Sequence, residues 1–259
     1  MDVAYEWGVA LSSAGRTQAG MGVDGADLNG DGWLEIHVTN FSRETNNLFM
    51  REAPGTYTEA VQGSSLGSSF DRLGFGPVFG DFDLDGVLDL SIANGHVDDL
   101  VEMNSRETGI SYLQPPDLLI NDGRGRFTPA SLPGEAFAKS YVGRGLASAD
   151  YDNDGDEDLY VVSGMLWQQG PTDQRNVLLQ NGGQGKFVDV SIISGVDDPG
   201  IGRGGVYLDF DNDGYLDIYA TNGIIGFSAE DGIPDGKPAH EPNILYRNCL
   251  LYTSDAADE

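Results

Sequence analysis

One acidic pattern occurs four times along this chain of 259 residues, and no other feature constrains the fold as strongly. Each copy reads D-x-[DN]-x-D-G-x-x-[DE] and leads into a short stretch in which apolar and polar residues alternate. The copies begin 54, 69 and 59 residues apart, at Asp27, Asp81, Asp150 and Asp209. Such a period is typical of architectures in which one supersecondary unit recurs.

Each acidic loop lies between two strand-like segments, and a hairpin signal follows it. The preceding segments are rich in glycine: "GMGVDGA", "LGFGPVFG", "VGRGLASA" and "GRGGVYL". The hairpins join two short strands through a turn, as in "DLLINDGRGRFTPA" at 117–130. Four strands per unit predict an all-β chain, a β-propeller fragment of about four blades rather than a sandwich or solenoid. Repeats are expected near 21–60, 72–130, 141–190 and 200–248.

The loops carry oxygen ligands at alternating positions, which is the chemistry of a calcium site. Numbered from the first aspartate, side chains at positions 1, 3, 5 and 9 and the carbonyl at position 7 can converge, with glycine at position 6 permitting the turn. Ca²⁺ takes roughly six to eight oxygen ligands, whereas Mg²⁺ demands stricter geometry and transition metals recruit His or Cys. The candidate ligands are Asp27, Asn29, Asp31, Trp33, Glu35, Asp81, Asp83, Asp85, Val87, Asp89, Asp150, Asp152, Asp154, Asp156, Asp158, Asp209, Asp211, Asp213, Tyr215 and Asp217.

Two other interpretations of these loops are weaker. An EF-hand loop ends in a later bidentate glutamate and is flanked by helices, whereas the last carboxylate here stands at position 9 between strands. An acidic, solvated turn without an ion would explain one loop, but four copies in register argue against coincidence. Without an ion, the crowded carboxylates would repel one another and some would take up protons.

Net charge restricts the partners. The chain has 42 acidic and 14 basic side chains and a formal charge of −28, with 39% hydrophobic residues. This content is enough for a core, and the charge argues against binding nucleic acid or an anionic membrane. No apolar run approaches the length of a transmembrane helix, and residues 1–20 lack the pattern of a signal peptide.

The loops, the Gly-x-Gly strands and the "NxLxxN-G-x-G-x-F" hairpins together resemble FG-GAP/VCBS repeats, known from the integrin α-subunit propeller and many bacterial secreted proteins. The segments "AGMGVDGADLNGDGWLEIHVTNFSRETNNLF" and "LGFGPVFGDFDLDGVLDLSIANGHV" are most similar to bacterial ASPIC/UnbV (cartilage acidic protein-like) proteins. The resemblance covers residues 1–248 and implies a seven-bladed propeller in the intact protein, with Ca²⁺ in a loop of each blade. The first repeat departs from the pattern, because Asn29 and Glu35 weaken its charge and "REAPGTY" at 51–57 lacks the usual Asn-Gly turn.

The expected function is that of a calcium-binding β-propeller that serves as a binding or adhesion module in a protein that is secreted, periplasmic or on the cell surface. Up to four Ca²⁺ ions would be structural, because ion affinity becomes folding free energy.

The partner would be a protein or carbohydrate on the propeller face, contacted through long insertions that carry Tyr112, Trp167 and Phe227. The alternatives are a non-catalytic part of a secreted enzyme or an assembly factor for an exported protein. No catalytic residue is expected, since no nucleophile, base or catalytic-metal arrangement recurs.

Both ends of the sequence are expected to be cut. Residues 1–9, "MDVAYEWGV", align with "VDVSIISGV" at 188–196, which predicts that the chain begins within the last strand of a preceding repeat. The stretch "CLLYTSDAADE" at 249–259 stands where a hairpin turn is due. We interpret it as read-through of a sequencing adapter, so that the native chain would contain no cysteine.

Overall fold

The structure is a computed structural model of the chain, and it describes residues 1–60, 65–98, 100–101, 109–131, 133–164, 174–223 and 241–248. The segment at 249–259 that we interpret as adapter read-through therefore lies outside the described residues. Within the described ranges, no helix has the length and apolar character that crossing a bilayer requires.

Fifteen strands in the described residues form four antiparallel sheets that follow one another along the chain. The strands are β1 (Gly20–Ala26), β2 (Glu35–Asn40), β3 (Asn47–Ala53), β4 (Thr56–Glu59), β5 (Gly74–Gly80), β6 (Asp89–Asn94), β7 (Asp117–Asn121), β8 (Phe127–Pro129), β9 (Gly143–Ala149), β10 (Asp158–Ser163), β11 (Val177–Asn181), β12 (Phe187–Asp189), β13 (Gly202–Leu208), β14 (Asp217–Asn222) and β15 (Ile244–Tyr246). The first three sheets have four strands each, in the orders β1-β2-β3-β4, β5-β6-β7-β8 and β9-β10-β11-β12, and the fourth sheet has three described strands, β13-β14-β15. The expected all-β class is confirmed.

Helical structure is confined to short segments in the described part of the chain. Ser65–Asp71 and Glu135–Ala138 are 3₁₀-helices, and α1 spans Ser191–Ser194. The alignment of residues 1–9 with 188–196 has a structural counterpart, but in a helical turn rather than a strand. In the first segment the N–H of Trp7 donates to the carbonyl of Val3 at 2.8 Å. In the second, the equivalent N–H of Ser194 donates to Val190 at 3.0 Å.

The glycine-rich first strand of each sheet packs against the first strand of the next, so β1, β5, β9 and β13 form an inner row. Glycine is required because these backbones nearly touch. A β-carbon on Gly22 would lie 1.9 Å from the carbonyl oxygen of Phe75, and one on Gly76 would lie 2.6 Å from the amide nitrogen of Leu146. The recurring Gly-x-Gly pattern is therefore a consequence of close packing between inner strands.

The hydrophobic core lies between successive sheets rather than within one. Leu90 and Ile92 of β6 join a cluster with Leu48 of β3 in the first sheet. The next two clusters join the second sheet to the third and the third to the fourth. All six residues of β6 and of β10 are buried, because these strands have a neighbouring sheet on each side.

Candidate metal centres

The four acidic loops occupy equivalent places in the four sheets. Each loop joins an inner strand to the second strand of the same sheet: β1 to β2, β5 to β6, β9 to β10, and β13 to β14. Each acidic loop follows the carboxyl end of an inner strand, and the inner strands lie side by side. All four loops therefore lie at the same end of the row of inner strands. The repeated pattern in the sequence thus becomes a row of similar loops in the structure.

The aspartates at positions 1 and 5 of each loop accept hydrogen bonds from the backbone of the same loop. The aspartate at position 5 accepts a hydrogen bond from the N–H of position 7 in every loop, at 2.8 to 3.0 Å. The aspartate at position 1 accepts one from the N–H of the glycine at position 6. These bonds join Gly32 to Asp27 (2.8 Å), Gly86 to Asp81 (2.9 Å), Gly155 to Asp150 (3.2 Å) and Gly214 to Asp209 (3.1 Å).

Two positions in each loop have left-handed backbone. The expected glycine at position 6 has φ between 85° and 95° in all four copies. Position 4 is also left-handed, which the sequence pattern did not predict, although glycine or asparagine in three of the four copies was an available signal. The position-4 residues are Gly30 (φ 74°), Leu84 (φ 61°), Asn153 (φ 59°) and Asn212 (φ 60°).

The carboxylate at position 9 is buried in every loop, at Glu35, Asp89, Asp158 and Asp217. In the third loop, Asp158 accepts hydrogen bonds from the N–H of Tyr151 (3.1 Å) and from the N–H of Asn181 (2.8 Å) at the end of β11. Asp217 makes the equivalent two bonds in the fourth sheet. The carboxylate at position 9 therefore links the loop to the third strand of its sheet. The sequence pattern indicated only a metal ligand at this position and did not predict this structural role.

Three of the four loops bring carboxylates together as a metal site requires. In each, one oxygen from each of three residues lies within 4.8 Å of the others. The expected ligands at positions 1 and 3 belong to every group, whereas the third member is position 5 in the second loop and position 9 in the third and fourth. No such group forms among the described residues 27–35 of the first loop. The groups are Asp81, Asp83 and Asp85; Asp150, Asp152 and Asp158; and Asp209, Asp211 and Asp217.

Each loop also holds one buried carboxylate oxygen for which the described residues provide no hydrogen bond. The atoms are Oε1 of Glu35, Oδ2 of Asp89, Oδ1 of Asp150 and Oδ1 of Asp211. A buried charged oxygen without a partner is costly, and coordination of a cation would satisfy it. The oxygen donor set suits a hard divalent ion such as Ca²⁺.

Burial raises the pKa of several carboxyl groups in the loops. Desolvation raises the pKa of Asp89 and the pKa of Asp158 to about 7 each, and neighbouring loop aspartates add to the effect. Desolvation also raises the pKa of Asp152, together with the charge of Asp154. A bound cation would reverse this direction, because it favours the charged form of each carboxyl group.

In the second, third and fourth sheets, an asparagine at or just after the end of the third strand connects the acidic loop to the loop of the preceding sheet. The side-chain amide of Asn121 donates to the carbonyl of Leu88 in its own sheet and to that of Leu28 in the first loop, both at 3.0 Å. The amides of Asn181 and Asn248 do the same in the next sheets, reaching Phe82 (2.9 Å) and Tyr151 (2.9 Å). The sequence showed this asparagine in the hairpins but gave no indication of its partners.

Of the three insertion residues expected to contact a partner, the structure describes only Tyr112, and it is buried. Tyr112 is 3% exposed and packs in a small cluster with Val101, Ile110 and Val142, so its assignment as a partner contact is wrong. Trp167 and Phe227 lie outside the described residues.

Comparisons with known proteins agree with the repeat architecture. Residues 27–91 match the FG-GAP-like repeat. Human cartilage acidic protein 1 is 25% identical over 222 residues, covering 86% of this chain and 30% of that protein. Cartilage acidic protein 1 of Xenopus tropicalis is 30% identical over 232 residues, covering 78% of this chain and 31% of that protein. The chain thus spans less than a third of the length of these curated relatives.

Among solved structures, an Agrocybe aegerita lectin described as recognising non-reducing terminal N-acetylglucosamine aligns with 88% of this chain and 52% of its own, at 16% identity and a TM-score of 0.41. A likeness at that level carries no argument. The match to the FG-GAP-like repeat and the four successive sheets support a propeller, since FG-GAP repeats imply propeller blades. The resemblance expected from the sequence is therefore confirmed: residues 27–91 match the FG-GAP-like repeat, and the chain is similar to cartilage acidic protein 1 over more than three quarters of its length.

Proposed function

We propose that this chain is a calcium-stabilised β-propeller module that binds a ligand outside the cytoplasm. The observation that supports it best is the buried carboxylate oxygen in each loop that receives no hydrogen bond from the described residues. The grouping of three carboxylates within 4.8 Å in the second, third and fourth loops adds to it. A chain of formal charge −28 gains from cations that neutralise its most crowded acidic groups.

Ca²⁺ would be held by the side chains at positions 1, 3, 5 and 9 and by the position-7 carbonyl. The ion would be structural, because it joins the inner strand, the loop and the second strand of one sheet. The bound ion would also stabilise the loop of the preceding sheet, because the asparagine at the end of the third strand donates to a carbonyl of that loop. Ion affinity for the folded chain then adds directly to stability.

We further propose that the four repeats are four blades, and that the parent protein is secreted, periplasmic or on the cell surface. The similarity to cartilage acidic protein 1 supports a binding role over catalysis, as does the FG-GAP-like repeat. The partner would be a protein or carbohydrate held on the propeller face.

Thermal unfolding with and without calcium tests the structural role of the ion. We expect excess Ca²⁺ to raise the melting temperature relative to the chelated protein, by about 2.7 kcal/mol of stability per site at a hundredfold excess over Kd. Mg²⁺ at the same concentration should have a smaller effect. An identical melting temperature in calcium and in chelator would exclude the proposal.

A single substitution makes the test specific to one loop. Asp150→Asn keeps the shape of the residue but removes the charge of a side chain whose Oδ1 atom is buried without a partner. We expect this variant to lose part of the calcium-induced stabilisation while remaining folded in chelator. Asp122→Asn, at an exposed aspartate in the hairpin of the second sheet, should keep the full calcium response. Equal responses from both variants would contradict the assignment of the third loop.

A further inference from the structure

The second residue of each inner strand lies in a β-bulge. The register of β1 against β2 shifts between Gly20 and Gly22, and that of β13 against β14 shifts between Gly202 and Gly204. Equivalent shifts occur in β5 and in β9. Bulges redirect side chains and are frequent beside functional sites. The residues at the second position of these strands are Met21, Phe75, Arg144 and Arg203.

Arg144 is held rigidly at this position. It is 5% exposed, and its guanidinium donates to the carbonyls of Gly95 (3.0 Å), Gly143 (2.8 Å) and His96 (3.0 Å). Its Cζ atom lies 4.4 Å from the centre of the Phe75 ring. The Nε atom is buried and makes no hydrogen bond within the described residues. One donor of a fixed, buried cation is therefore left without a partner.

Arg203 lies on the next inner strand and is less well satisfied. Its Nη2 atom is buried, and the described part of the chain supplies it with no hydrogen bond. Burial lowers the pKa of Arg203, and it lowers the pKa of Arg144 to about 10, with the charge of Arg203 contributing. The strands that carry the two arginines are in contact, since a β-carbon on Gly145 would lie 2.8 Å from the Cα of Gly204 and 3.2 Å from the carbonyl oxygen of Arg203. Two like charges are therefore carried on contacting strands, although acidic side chains outnumber basic ones by 42 to 14.

We propose that Arg144 and Arg203 form an oxyanion site that binds a carboxylate group of the ligand, an inference that rests on the proposed role of the chain as a binding module. A planar guanidinium presents N–H donors that match a carboxylate in pairs. The unpartnered Nε of Arg144 and Nη2 of Arg203 are the donors left for such a group. A single carboxylate on an otherwise neutral ligand fits best, because the charge of −28 repels a polyanion.

The site lies at the opposite end of the inner strands from the calcium loops. Arg144 and Arg203 stand near the beginnings of β9 and β13, whereas the acidic loops follow the ends of those strands. The connections from the second to the third strand of each sheet leave from the same end as the arginines. Ligand binding and ion binding therefore use separate faces and can be tested separately.

Arg203 permits a clean test because its side chain makes no hydrogen bond to any described residue that a substitution would break. The melting temperature of the chain should be measured in excess calcium, in sodium acetate and in sodium chloride of equal ionic strength. We expect acetate to raise the melting temperature of the unsubstituted chain and to have no such effect on Arg203→Gln. Arg16→Gln, which removes the same charge at an exposed site, should respond like the unsubstituted chain. In a ¹H–¹⁵N spectrum, acetate should shift the Nε resonance of Arg144.

The outcomes are distinct. An acetate response that persists in Arg203→Gln, or is absent from the unsubstituted chain, would overturn the site. A larger Arg203-dependent response to sodium methyl phosphate would overturn its assignment to carboxylates. A marked loss of stability of Arg203→Gln in chloride would show that Arg203 is structural, which also contradicts the proposal. Chelator sensitivity in the same samples reports on calcium alone, so failure of the proposed function would be recognised separately.

Discussion

At position 4 of each acidic loop the backbone enters the left-handed region, and the four copies meet this requirement with different residues. Gly30 has no β-carbon, and Asn153 and Asn212 belong to a residue type that tolerates this conformation. Leu84 has neither advantage at φ 61°. Its side chain is 54% exposed, so burial does little to offset the strain.

Exchanging the residue types at position 4 should therefore change stability in opposite directions. We expect Leu84→Asn to raise the free energy of unfolding by about 1 kcal/mol, and Asn153→Leu to lower it by a similar amount. Urea unfolding in saturating calcium measures both changes. Shifts of the same sign in the two variants would show that backbone strain is not the cause.

At the scale of the elements, the loop and the hairpin of each blade act as one unit. The hairpin signal predicted two strands and a turn, and β7 and β8 form them. It did not predict that the asparagine ending β7 would reach the first loop. Asn121 and Leu28 are 93 residues apart, and only the packing of one sheet on another brings them together.

Asn121→Asp isolates this connection. Aspartate keeps the oxygen that accepts the N–H groups of Gly123 and Gly125, both at 3.1 Å, but it cannot donate to Leu28 and Leu88. We expect a loss of about 2 to 4 kcal/mol, because two buried carbonyls lose their donor and face a carboxylate. Urea unfolding measures it.

The exposed Thr128→Ala, in the same hairpin, is the matched control and should stay within about 0.5 kcal/mol of the unsubstituted chain. If Asn121→Asp proves as stable as this control, the amide does not hold the two loops together.

At the scale of the whole molecule, the row of inner strands determines how closely the blades approach. The glycines that permit this approach are equivalent in sequence but not in surroundings. A β-carbon on Gly145 would lie 2.8 Å from the Cα of Gly204 on the next inner strand. Among the described residues, a β-carbon on Gly204 itself would approach only the hydroxyl of Thr221, at 3.5 Å.

Alanine at these two positions should therefore have unequal effects. We expect Gly145→Ala to destabilise the chain by about 1 to 3 kcal/mol, because the neighbouring backbone must move. Gly204→Ala meets an ordinary van der Waals distance and should have a much smaller effect. Thermal unfolding of both variants in calcium provides the comparison, and equal losses would refute the close approach of β9 and β13.

The sequence by itself determined the features that depend on local chemistry. Alternation of apolar and polar residues specified the strands, and glycine at position 6 of the acidic loops specified the left-handed turn. The spacing of Asp150 and Asp152 was enough to place their oxygens together, because side chains two apart on a tight loop face the same centre. The recurrence of these signals predicted successive blades.

Only the tertiary structure decided which distant groups meet. It buried Tyr112, tied Asp158 to β11, linked Asn121 to the preceding loop, and packed the strand that carries Arg144 against the strand that carries Arg203. None of these contacts follows from periodicity or turn chemistry, because each joins elements that approach only when the sheets pack. The physical reason is that local patterns fix the conformation of each repeat, whereas close packing between repeats fixes the partners of its polar groups.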